Sequence, residues 1–187
     1  MTKNLFTHNQ FYIQFKAPNS DELISYVMDK GEEYCEMSWA KECNLKTITC
    51  PWQEIGELIQ PSVHLFSQHL GKPFDYQYDD GWINCYERGF YQEIHGHAEY
   101  DFVSVFFPQD QEDGFSKLYF YDRYGNSLNP SWEQIFNLSP SWEPHVSAGD
   151  IIFFPGSVLH GVTLHKSDKI RKSFSCNYKF NLKQSTE

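Results

Sequence analysis

The feature that most constrains the fold is a change of pattern at Phe74. Before it, apolar residues recur at helical spacing; after it, the chain breaks into short aromatic and β-branched runs separated by turns. Trp82 to Tyr86, Tyr91 to His97, Phe102 to Phe107, Lys117 to Tyr121, Asp150 to Phe154, Val158 to Leu164 and Lys172 to Phe180 each read as a strand. Aromatic residues make up 18% of the chain, which suits pleated, half-buried surfaces. Upstream, Phe11 to Phe15 reads as a short strand closed by Pro18-Asn19-Ser20, and Leu23, Ile24, Val27 and Met28 predict a helix from about Asp21 to Cys35. A second helix opens at Pro51 and carries Ile55, Leu58, Ile59, Val63, Phe66 and Leu70 before Gly71-Lys72-Pro73 ends it. Pro61 lies inside that pattern and predicts a kink or break. Helices followed by many short strands imply a mainly β sandwich or barrel with an α-helical layer packed on one sheet. With 187 residues the expectation is a single domain, 1–73 forming a strand and helical support and 74–182 the β core.

A formal net charge of -10 argues against general affinity for nucleic acid or an anionic membrane and leaves a small or cationic substrate as the better fit. Cys35, Cys43, Cys50, Cys85 and Cys176 are odd in number and lack a Cys-x-x-Cys pair, so reduced thiols are expected rather than a disulfide framework or structural zinc. No signal-peptide pattern or spanning stretch is visible, and the expectation is a cytoplasmic protein. Oligomeric state is left open. Residues 126–143, with Trp132 and Trp142, read as a structured insertion of the kind that carries specificity.

Chemistry concentrates in three segments. In His95-Gly96-His97, alternation along a strand puts both imidazoles on one face, where they can grip one metal. A third ligand must come from a distant strand, and His160, following Gly149-Asp150 and the apolar run to Pro155, is the candidate; it could equally hydrogen-bond at a strand end. Beyond the polar turn at 166–169, alternation groups Arg171, Ser173, Ser175 and Asn177 on one polar face. Two strands joined by that turn would carry Arg171 back alongside His160. An inward arginine needs an anion, and its planar fork suits a carboxylate. His8, His64, His69 and His145 have no neighbours that suggest chemistry.

With these motifs on view, the chain resembles the 2-oxoglutarate and iron(II)-dependent oxygenases, in particular small bacterial and phage members. The resemblance spans Trp82 to Phe180 and rests on Asn84-x-Tyr86-x-x-Gly89-x-x-Gln92-x-x-His95-x-His97, on Gly149-Asp150-x-x-x-Phe154-Pro155 leading to His160, and on Arg171-x-Ser173 with Asn177. It implies a double-stranded β-helix, a cupin-like jelly roll. It also implies Fe(II) at the histidines, 2-oxoglutarate as cosubstrate with Arg171 on its distal carboxylate, and Ser173, Tyr86, Asn177, Asn84 and Gln92 around it. The implied reaction couples decarboxylation of 2-oxoglutarate to succinate with oxidation, usually hydroxylation, of an unidentified substrate. One departure stands out: the usual second ligand is a carboxylate two residues after the first histidine, and His97 occupies that place. His97 itself, Glu99 or Asp101 could complete the site, and since 95, 97, 99 and 101 share parity, alternation does not choose among them. Spacing from Gly89 favours His95 and His97, with His160. The alternatives are a cupin-like three-histidine metal enzyme that does not use 2-oxoglutarate, and a non-enzymatic jelly-roll binding module whose tryptophans stack on a ligand.

Overall fold

Among the described residues every strand pairing is antiparallel, and the strands divide into two sheets. The computed structural model describes residues 11–31, 36–37, 45–122, 131, 135 and 139–181, with backbone alone at 36–37 and 80. In chain order the elements are β1 (Ile13–Lys16), α1 (Ser20–Asp29), β2 (Glu36–Met37), β3 (Lys46–Thr49), α2 (Trp52–His69), β4 (Asp75–Tyr86), β5 (Gln92–His95), β6 (Phe102–Phe107), β7 (Leu118–Tyr121), β8 (Ser141–Trp142), β9 (Asp150–Pro155), β10 (His160–Val162) and β11 (Arg171–Asn181). A seven-stranded sheet runs β1-β9-β6-β11-β4-β3-β2, and a four-stranded sheet runs β5-β10-β7-β8. The chain passes repeatedly from one sheet to the other, as in a jelly roll.

Two apolar layers hold this arrangement. On the outer face of the large sheet, Leu23 and Val27 of α1 and Ile55, Ile59, Val63 and Phe66 of α2 pack against Ile83, Phe102, Phe153, Phe174 and Tyr178. Between the sheets, Val103, Val105, Phe107, Ile152 and Phe154 meet Leu118, Phe120 and Val158. Alternation in β6 and β9 sends successive side chains into the two layers, so neither strand has a solvated face and both read as continuous apolar runs.

The second helix continues through Pro61, where a kink or break was expected. Val63 and Phe66 lie beyond the proline on the same buried stripe as Ile55 and Ile59, and Phe66 stacks on Phe153 with ring centroids 4.5 Å apart. Burial of those two side chains, worth about 1.5–3 kcal/mol each, offsets the roughly 3 kcal/mol that an interior proline costs. The first helix stops at Asp29, short of the expected Cys35, and residues 32–35 lie outside the described ones. Its last turn holds no basic residue. Instead Lys172 of β11 sends Nζ to the carbonyls of Val27, Met28 and Lys30, at 3.4, 3.2 and 2.6 Å. Strands β2, β3 and β8 were not foreseen. Trp142 lies on β8, where Nε1 donates to the Tyr12 hydroxyl, while Trp132, Cys35, Cys43 and His8 lie outside the described residues. Cys50 and Cys176 are free thiols, and both are buried, as is Cys85. Among the described residues no helix is long and apolar enough to cross a membrane.

Candidate metal and cosubstrate site

Strand register builds the site. In the small sheet His160 of β10 lies directly opposite His95 of β5. In the large sheet Arg171, Ser173 and Ser175 of β11 lie opposite Tyr86, Asn84 and Trp82 of β4. His160 and Arg171 are therefore in facing sheets, rather than on adjacent strands joined by a hairpin as expected; the connection between them crosses the barrel, and the two side chains meet across a cavity. That cavity holds about 360 Å³ outside the protein atoms, mouth included, and its wall also contains Gln92, Val103, Val105, Leu118 and Val162. Gly89, at φ 89°, supplies the left-handed turn that returns the chain from β4 toward β5.

At one end sit three imidazoles. Candidate ligand atoms of His95, His97 and His160 all lie within 4.8 Å of one another. Nδ1 of His95 faces the Glu93 carbonyl at 2.7 Å, and Nδ1 of His160 faces the Val158 carbonyl at 3.0 Å. A carbonyl can only accept, so each Nδ1 carries the proton and each Nε2 carries the lone pair, the orientation in which carbonyls steer metal-binding histidines. Trp82 stacks beside His97 at 6.0 Å. Burial lowers the pKa of all three: His97 is brought down to about 4 by desolvation and the neighbouring His95, with Asn177 acting in the opposite direction, and His160 is held well below its ordinary value by desolvation and by His95. The neutral form is the one that binds metal.

Glu99 and Asp101 are elsewhere. Regular strand ends at His95, and the chain turns through 97–101, with the Tyr100 amide bonded to the His97 carbonyl, so the shared parity of 95, 97, 99 and 101 does not extend to a shared face. Glu99 is exposed, and the exposed Asp101 uses its carboxylate to accept the Phe180 amide at 2.8 Å.

Arg171 sits in the same cavity, 3% exposed. Its guanidinium packs over the rings of Tyr86 and Phe107, 4.9 and 5.7 Å from their centroids, and Nη1 donates to Ser116 Oγ at 3.4 Å. Among the described residues it pairs with no carboxylate. Burial lowers its pKa, with the adjacent Tyr86 opposing, while burial lifts the Tyr86 phenol to about 12 against the pull of Arg171. The Tyr86 hydroxyl donates to Gln92 Oε1 at 2.6 Å. Asn84 is spent on scaffolding: Nδ2 donates to Ser173 and Ser175, and Oδ1 accepts from Trp82. Asn177 is buried beside His97. Trp82, Ser116 and the apolar wall were not singled out beforehand; Trp82 shares the parity of Asn84 and Tyr86, which was a usable signal, whereas nothing local marks Ser116.

Three neutral nitrogen donors facing a buried cation that has no carboxylate partner among the described residues fit a divalent metal together with a carboxylate ligand. The sequence model of the 2OG-Fe(II) oxygenases matches residues 80–177, just over half of the chain. The chain belongs to the 2OG-Fe(II) oxygenase family. The oxygenase therefore uses Fe(II) as its metal, 2-oxoglutarate as cosubstrate, and a further primary substrate. No curated protein matches it by sequence. Solved structures share its fold. An oxidoreductase of the 2OG-Fe(II) oxygenase family from Burkholderia pseudomallei aligns at TM-score 0.67 and 14% identity, over 90% of this chain and 85% of that one. A Pseudomonas putida prolyl-4-hydroxylase aligns at 0.63 and 14%, over 94% and 95%. HygX from Streptomyces hygroscopicus, with nickel and 2-oxoglutarate bound, aligns at 0.62 and 9%, over 90% and 82%.

Proposed function

We propose that the oxygenase holds Fe(II) on His95, His97 and His160, clamps the distal carboxylate of 2-oxoglutarate on Arg171, and hydroxylates its primary substrate. The observation that carries this reading is Arg171: a guanidinium buried in the cavity of the three imidazoles without an anionic partner among the described residues. A charge so placed is costly unless a ligand neutralises it. When bound, the iron would supply open coordination positions for 2-oxoglutarate and dioxygen, which supports coupling decarboxylation of the cosubstrate to oxidation of a C–H bond. The chain's own contribution is orientation and exclusion of water. The Glu93 and Val158 carbonyls aim the imidazoles, and Tyr86 and Phe107 pack against the guanidinium. Asn84 orders the Ser173 and Ser175 hydroxyls, and the valines and leucine of the wall keep the slot dry.

We also read the chain as one domain, because β1, β2 and β3 are strands of the same sheet as β4 and β11. Buried free thiols support a reducing cytoplasmic setting, and the charge of -10 supports a partner other than nucleic acid or anionic lipid.

Anaerobic titration with Fe(II) and then 2-oxoglutarate tests the site. One iron per chain and a visible charge-transfer band that needs both components are expected. Stoichiometric iron with no response to 2-oxoglutarate would point to a three-histidine enzyme of another kind, and no metal uptake to a binding module.

A further inference from the structure

His165 takes no part in the chemistry described so far, although it is a fully buried titratable side chain close to Arg171. It lies in the connection between β10 and β11 and ties three segments together. Its ring Nδ1 accepts the Ser116 amide at 3.1 Å, and Nε2 meets the Lys169 carbonyl at 2.8 Å. Since an amide can only donate and a carbonyl only accept, the ring is fixed as the neutral Nε2–H tautomer. The backbone of the same residue pairs with the β4–β5 turn: its amide donates to Phe90, and its carbonyl accepts from Gly89, both at 2.8 Å. The ring also packs on Phe115, centroids 5.4 Å apart.

Both hydrogen-bond partners of the ring lead to the guanidinium. Ser116, whose amide the ring holds, presents the Oγ that receives Arg171 Nη1. Lys169, whose carbonyl the ring holds, stands two residues before Arg171 at the entry to β11. From the other side, Gln109 bonds the Ile170 carbonyl at 3.1 Å and the Lys172 amide at 2.7 Å, fixing the backbone on both flanks of the arginine. Gly114 accepts the amides of Lys166 and Ser167 and closes the strap.

We infer that His165 is a positioning residue for 2-oxoglutarate, acting by holding Ser116 and the Lys169 turn so that the Arg171 guanidinium stays preorganised in the cavity. The inference rests on Arg171 as the carboxylate clamp. A histidine that only filled space would be replaceable by any flat ring, whereas this one is defined by one acceptor and one donor. Gln offers the same pair, and Phe keeps the ring and loses both.

The test is 2-oxoglutarate affinity measured by anaerobic titration of the Fe(II) protein, with iron content and uncoupled succinate formation at saturating 2-oxoglutarate read alongside. For His165→Phe, 2-oxoglutarate binding should weaken about tenfold, with iron stoichiometry unchanged and saturated turnover within about twofold. His165→Gln should recover affinity to within about threefold of the parent. Ser116→Ala, which leaves the histidine untouched, should weaken binding about threefold and serves if the Phe variant does not fold. Unchanged affinity in His165→Phe, or in Ser116→Ala where that variant stands in, overturns the inference, as does loss of iron and turnover in step with affinity without recovery by Gln. Arg171→Ala run beside them separates the two levels. If it leaves 2-oxoglutarate binding intact, the clamp assignment fails; if it weakens binding and His165→Phe does not, only the role of His165 fails.

Discussion

Replacing Arg171 with methionine should move stability and cosubstrate affinity in opposite directions. The guanidinium is 3% exposed and, among the described residues, has no carboxylate partner, and its lowered pKa reports the same desolvation. Taking such an ion out of water costs several kcal/mol even after relaxation. Against that stand two aromatic faces, at 4.9 and 5.7 Å, worth about 1–2 kcal/mol each when desolvated, and one long hydrogen bond to Ser116 at 3.4 Å. Methionine matches the length of the stem and can lie on the same rings, so the ligand-free variant should gain about 1–2 kcal/mol, or about 2–8 °C in Tm for a domain of this size. With 2-oxoglutarate the sign reverses. Losing a bidentate, charge-assisted pair should cost about 3–5 kcal/mol, a fall in affinity of roughly two to three orders of magnitude or more. Scanning calorimetry of the metal-free protein and anaerobic titration of the Fe(II) form read the two effects separately. A ligand-free variant that melts several degrees lower and binds 2-oxoglutarate like the parent would refute both the cost assigned to the buried charge and the purpose assigned to it.

Other consequences follow from the same structure. The folded pKa values of His95, His97 and His160 all lie below the ordinary 6.5, so the unfolded chain binds more protons as pH drops; stability of the metal-free protein is complete above about 6.5 and is lost as pH falls through the folded values, near 4 for His97. The lowering at His97, part of which comes from its repulsion with His95, is worth on the order of 3 kcal/mol, and a Tm profile that stays flat over this window would show that the imidazoles are not held neutral. In Gly156→Ala the new methyl group would fall on the backbone carbonyls of His97 and Tyr100, so the 97–100 turn must move; stoichiometric iron binding in that variant would separate His97 from the metal. Lys172→Met removes the side chain that closes the end of α1 and should cost about 2 kcal/mol, seen as a Tm lower by about 4–8 °C, with 2-oxoglutarate binding unaffected.

Much of the site was legible because strand alternation is a local rule. It grouped Arg171 with Ser173 and Ser175, and the spacing of Asn84, Tyr86 and Gln92 from the histidines carried the family resemblance that the match over residues 80–177 bears out. Local rules failed where the outcome depended on packing. The proline in α2 looked like a break because its cost is local, while the burial of Val63 and Phe66 that offsets it comes from a sheet formed by distant residues. His165 carries no signal in the sequence, because both partners of its ring are backbone atoms, which no sequence pattern marks.

The sequence by itself determined a mainly β fold with a helical layer, the family and the residue types of the candidate site, since each rests on periodicity or on motif spacing within short stretches of chain. Only the tertiary structure decided which sheet each strand joins. It set His160 opposite His95 and Arg171 opposite Tyr86, in sheets that face each other, and it turned the chain after His97 so that Glu99 and Asp101 point away from the cavity. Those outcomes depend on pairings between segments as far apart in sequence as Ile13 and Phe153, whose register is fixed by burying both faces of the large sheet at once.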